Sequence, residues 1–204
     1  MKKLFGLLML VAAFTFAANN ANAQESFGSA GLEIALPVGD FADEDVVGAG
    51  FGVGGSGHFE IGLSDKFAVN ASAGIIFFST DVDDTGLNHI PLQVGARYYL
   101  NQQKEGLFVA AQGGLHIQTF SVDIEGVDNE TDSYFGFAPQ VGYFVSENIS
   151  VSLRYQMVFV PEETESETVT VTNPFDGSQI TQTVEVTTDA LTLGYIGLRA
   201  AYNF

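Results

Sequence analysis

Cysteine is absent from the 204 residues, so no disulfide holds this fold together and its closure rests on hydrogen bonds and packing. Basic residues are scarce. Seven lysines and arginines stand against twenty-five aspartates and glutamates, a balance that excludes nucleic acid as a partner because phosphate binding needs a basic face. Long apolar runs are missing as well. The one stretch of any length, Leu4 to Ala18, falls short of the roughly 20 residues that a membrane-crossing helix needs. It follows Lys2 and Lys3 and precedes Ala21-Asn22-Ala23, a small-x-small cleavage pattern, so residues 1–23 read as a signal peptide. The remainder, 24–204, has the size of a single domain. It keeps five basic residues (Lys66, Arg97, Lys104, Arg154 and Arg199) and a net charge of −20 with the histidines neutral.

What is present is alternation. A period of two, not 3.6, runs through eight segments rich in Phe, Tyr, Val, Ile and Gly, at 26–36, 50–63, 67–79, 89–100, 107–122, 133–145, 149–160 and 190–204. The seventh sets Ile149, Val151, Leu153, Tyr155, Met157 and Phe159 against Ser150, Ser152, Arg154 and Gln156. The sixth sets Phe135, Phe137, Val141, Tyr143 and Val145 against Gly136, Ala138, Gln140 and Gly142. The fold class this implies is all-β.

A soluble sandwich also alternates, so the content of the polar faces decides. Exposed soluble surfaces carry about 25 to 35% charged residues, whereas the charged members of these eight faces are Glu33, Glu60, Arg97, Arg154 and Arg199. The others are read as Gly, Ala, Ser, Asn and Gln, small enough to fill a narrow lumen, with the bulky apolar faces turned to lipid. The expected architecture is therefore an eight-stranded antiparallel up-and-down transmembrane β-barrel.

Connections point the same way. Short ones (64–66, 101–106, 146–148) alternate with long ones (37–49, 80–88, 123–132, 161–189), as periplasmic turns alternate with external loops in bacterial barrels. Nineteen of the twenty-five acidic residues fall in the four long connections.

With this pattern the chain resembles the small outer-membrane β-barrels of the OmpA and OmpX type, over everything after residue 23. The last fourteen residues add to the likeness, ending Tyr202-Asn203-Phe204 with Tyr195 before them. Residues Tyr202 and Phe204 resemble the C-terminal signal read by the outer-membrane assembly machinery. The resemblance implies an outer-membrane location, outer-membrane lipid and lipopolysaccharide as surroundings, and that machinery as a partner during biogenesis.

Several groups of residues invite a chemical role. The five charged lumen residues are expected to meet in its lower half, either as a polar plug of paired charges or as a constriction that passes small ions when the pairs rearrange. Ser56, His58 and Glu60 share one face of the second strand, but parallel directions along a strand do not build a hydrolase relay. His116 and His89 read as hydrogen-bonded singletons. Asp81, Asp83 and Thr85, followed by Gly86, match the start of a calcium loop, which then departs at Leu92 where a bidentate glutamate belongs. A solvated acidic loop and a weakly bound divalent cation are the two readings; no other cofactor is expected. Finally, the Thr/Val runs flanking Asn173 to Ser178 read as a hairpin rising from the last long connection. Its edges suit capture of an unidentified surface ligand, or Glu162 to Glu167 guard them by charge. The function expected is that of a non-enzymatic envelope barrel presenting acidic loops. Adhesion through 161–189 and narrow ion conduction are the alternatives.

Overall fold

Side chains that alternate between two environments require extended backbone, and the computed structural model of the chain describes residues 26–80, 85–122, 130–172 and 179–204 almost wholly as strands. These are β1 (Ser26–Val38), β2 (Ala49–Ser64), β3 (Phe67–Thr80), β4 (Thr85–Tyr99), β5 (Gly106–Val122), β6 (Glu130–Ser146), β7 (Ile149–Val160), β8 (Glu163–Thr172), β9 (Gln179–Thr188) and β10 (Leu191–Asn203). Eight of them close a barrel in the order β1-β10-β7-β6-β5-β4-β3-β2, every pair antiparallel. Among the described residues the remaining two, β8 and β9, pair only with each other, as a two-stranded sheet inserted between β7 and β10. The proposed cleavage region, 1–23, lies outside the described residues.

The barrel strands correspond to the eight alternating segments but outrun several of them. β4 starts at Thr85, four residues before the apolar pattern, and β6 starts at Glu130, three before it. The ladder continues there through polar pairs such as Thr119 and Thr131, whose hydroxyls are 3.1 Å apart. A tilted strand crosses a bilayer in about 9 to 11 residues. The 17 residues of β5 and of β6 therefore project beyond it, where water removes any need for alternation.

Outward positions form a continuous apolar band that includes Leu32, Val53, Leu92, Leu115, Val141, Leu153 and Leu198, all well exposed. Soluble monomers rarely expose contiguous apolar surface beyond a few hundred Å². Tyr98, Tyr143, Tyr202, Phe67 and Phe204 lie outward at the short-turn end, the position of an interfacial aromatic girdle. There the last residue also completes the closure: Gly28 N–H donates to Phe204 O at 3.1 Å and Phe204 N–H to Gly28 O at 2.9 Å.

The lumen is less uniformly polar than the sequence pattern suggests. Inward positions carry not only small and amide residues but also Phe27, Phe78, Tyr99, Phe108, Phe144 and Tyr195, all buried. At the long-loop end, Phe78 and Tyr195 pack with Ile76, Leu87, Val158 and Leu193. Phe41 joins them from the connection after β1 and meets Phe78 edge to face at a centroid distance of 5.0 Å. The segment turns back over the mouth because Gly39 and Gly48 both take left-handed φ values, 61° and 64°, a region that glycine enters without steric cost. At the other end Phe27, Tyr99, Phe108 and Phe144 close the barrel with Ala68. The Phe108 ring fits because β6 offers no side chain beside it. A Cβ on Gly142 would come within 2.1 Å of the Phe108 ring.

Candidate functional site: the sealed lumen

Between the two apolar layers lies a polar middle. β1, β7 and β10 turn Glu33, Arg154 and Arg199 inward, and closure of the first strand against the last sets Glu33 directly beside Arg199. Arg154 Nη2 donates to Glu33 Oε2 at 2.5 Å and to the Tyr195 hydroxyl at 3.0 Å. Arg199 Nε lies 3.7 Å from Glu33 Oε1 and donates to Ser56 Oγ at 2.8 Å, while its Nη2 donates to Ser29 Oγ at 3.1 Å. The Ser56 hydroxyl in turn donates to Glu33 Oε1.

A second group forms closer to the short turns. Glu60 pairs with Arg97 Nη1 at 2.8 Å and accepts from the Tyr99 hydroxyl. The Arg97 guanidinium also covers the Phe108 ring, 4.2 Å from its centroid, a cation–π contact strengthened by desolvation. The five charges thus share one lumen but form two groups instead of a single cluster. The reason is register: Glu33 is level with Gly54 on β2, and Glu60 lies six positions further along, about 20 Å of strand.

Above these groups the amides and histidines form their own chain. The amide nitrogens of Gln93 and Gln156 lie 3.3 and 3.1 Å from His116 Nε2. With both donating there, the ring proton of His116 sits on Nδ1 and is donated to His89 Nε2 at 2.8 Å. His89 Nδ1 faces the Gln118 amide at 3.3 Å. The two rings, read from the sequence as singletons, are thus partners, and His89 also packs against Phe78 and Tyr195 under the upper apolar layer.

Ser56, His58 and Glu60 do share an inward face, yet each looks elsewhere. Ser56 serves Glu33 and Arg199, Glu60 serves Tyr99 and Arg97, and neither ring nitrogen of His58 has a hydrogen-bond partner. Of the suggested calcium residues, Asp81 and Asp83 lie outside the described residues. Thr85 is the first residue of β4 and not a loop residue; its hydroxyl sits 2.6 Å from that of Thr80. Among the described residues no group of three or more His, Asp or Glu side chains is placed to hold a metal ion.

The residues missed by sequence reasoning are the inward aromatics. Their signal was present as apolar doublets that interrupt the alternation near strand ends: Phe77-Phe78, Tyr98-Tyr99, Leu107-Phe108 and Tyr143-Phe144. In every doublet the first member faces outward and the second is buried.

A closed eight-stranded antiparallel sheet with an apolar exterior and a packed polar interior defines a small outer-membrane β-barrel. The chain belongs to the outer membrane protein β-barrel domain family, whose model matches residues 7–204. Among solved structures it is similar to the N-terminal β-barrel domain of OprF from Pseudomonas aeruginosa, with 14% identity and a TM-score of 0.53, covering 90% of this chain and 100% of that one. It is also similar to Ail, the attachment invasion locus protein of Yersinia pestis, with 12% identity and a TM-score of 0.54, covering 88% and 97% respectively. A second Ail structure, in complex with the heparin analogue sucrose octasulfate, matches with 14% identity and a TM-score of 0.50 over the same shares. At these identities the likeness concerns the fold. No curated protein sequence matches the chain.

Proposed function

We propose that this protein is a non-conducting, non-catalytic barrel of the outer membrane that reinforces the envelope and presents its long connections outside the cell. The observation that supports this reading is the double closure of the lumen, by Phe41, Phe78 and Tyr195 at one end and by Phe27, Tyr99, Phe108 and Phe144 at the other. A path for ions would have to cross both apolar layers and break the Glu33 and Glu60 ion pairs. Eight strands leave an interior just wide enough for side chains to fill. Purified protein in planar bilayers is therefore expected to give no unitary current. Discrete openings in the wild type, altered by Arg97→Ala or Arg154→Ala, would restore the channel reading.

A second reading is favoured by the β8–β9 sheet, which stands apart from the barrel ladder and offers unpaired edges. The Ail structure with sucrose octasulfate holds a polyanion. This end of the chain's barrel suits the opposite charge, since segments 37–49, 80–88, 123–132 and 161–189 carry nineteen acidic residues and no lysine or arginine. We infer that a surface ligand for this protein is cationic. Cells displaying the protein are expected to bind a basic polymer such as polylysine, with affinity falling steeply between 50 and 300 mM salt (about 13 and 6 Å of screening length, respectively). Binding is expected to weaken severalfold when residues 161–190 are replaced by a short turn. Equal binding by the two forms would remove the hairpin from the reading.

A further inference from the structure

The charges of the sealed lumen do not balance. Three guanidiniums, of Arg97, Arg154 and Arg199, share two carboxylates, of Glu33 and Glu60, and all five are buried. Among the described residues no other Asp, Glu, Lys or Arg is buried there. With the histidines neutral the interior holds one positive charge in excess. Arginine does not shed its proton in proteins, and a buried charge without a counter-charge is strongly destabilising.

His58 marks where the compensation belongs. It lies on β2 between Ser56 of the upper ion-pair group and Glu60 of the lower one, level with Ser29 of β1 and Ser72 of β3. It is 7% exposed and both its ring nitrogens lack a hydrogen-bond partner. Arg199 donates to Ser29, level with His58, and to the Ser56 carbonyl two positions before it, while Arg97 pairs with Glu60 two positions after it. Arg97 Nε is likewise buried without a partner. Ser29 and Ser72 each accept a hydrogen bond, from Arg199 and Gln112, which leaves their own hydroxyl protons to donate. An unpartnered imidazole N–H beside surplus guanidinium charge is the complement of an anion.

We propose that the lumen binds one small monovalent anion, of the chloride or bromide class, beside His58 and between the guanidiniums of Arg97 and Arg199. Water would satisfy the donors but would leave the charge uncompensated. An eight-stranded interior leaves little room beside its side chains, which limits the anion to a single atom.

The test uses the whole protein refolded into lipid vesicles in sodium chloride, sodium bromide or sodium gluconate at equal ionic strength. The readout is the temperature midpoint of its heat-induced mobility shift on gels. Chloride and bromide are expected to raise the midpoint by several degrees over gluconate and to saturate with concentration. Crystals grown in bromide are expected to show an anomalous peak beside His58. His58→Glu supplies the missing negative charge within the chain, so its midpoint in gluconate should rise to the chloride value of the wild type and its bromide peak should vanish. Identical wild-type midpoints in the three salts, together with a lumen free of bromide, would overturn the proposal. So would a His58→Glu protein that remains as chloride-dependent as the wild type. If that variant fails to fold, the bromide peak in wild-type crystals decides alone.

Discussion

Replacing Glu33 by glutamine is expected to lower the stability of the barrel by about 3 to 5 kcal/mol, measured as urea unfolding in lipid vesicles. The substitution keeps the side-chain volume but removes the carboxylate that Arg154 and Arg199 share. It leaves their charges buried at 4% and 5% side-chain exposure. The Ser56 hydroxyl, which donates to Glu33, loses its charged acceptor too. Because much of the penalty lies in the orphaned cations, Glu33→Gln combined with Arg154→Met should be less damaging than Glu33→Gln alone. Costs that simply add would show that the two residues do not act as a pair.

Leu198→Arg is expected to cost about 2 to 4 kcal/mol in the same assay, although the next residue in the sequence is already an arginine. The difference is the face. Leu198 is 52% exposed on the outer surface in the middle of β10, while Arg199 points inward to Ser29, Ser56 and Glu33. An arginine at 198 would enter hydrocarbon without a partner. An unchanged stability would mean that the outer face of β10 meets water and not hydrocarbon, which would overturn its placement in the membrane.

The barrel was legible in the sequence because two solvents impose a period of two, and a strand has no other way to satisfy both. Which faces turn inward followed from the scarcity of charge on one of them. The partners inside did not follow. Glu33 is 121 residues from Arg154, and the contact depends on closure of the first strand against the last and on the register of three strands. Alternation gives the facing of each residue but not its height. For that reason five inward charges read as one cluster, whereas the chain stacks them in two groups. The aromatic layers escaped for a related reason. Near a strand end the outer face reaches the interface and the inner face reaches the plug, so both favour aromatic residues and the alternation lapses just where the lumen closes. The hairpin of β8 and β9 was readable from its Thr/Val runs, since two β-forming segments either side of Asn173 to Ser178 have few other ways to pair.

Where that hairpin joins the barrel, Val160 and Leu191 face each other as ladder partners. The two ends of the insertion are thus fixed at strand spacing by the barrel itself, whatever connects them. Closing a longer segment across such a gap adds only about 0.6 kcal/mol for each doubling of its length. The position therefore tolerates exchange of its contents. A foreign peptide spliced between residues 160 and 191 is accordingly expected to leave the eight-stranded ladder intact.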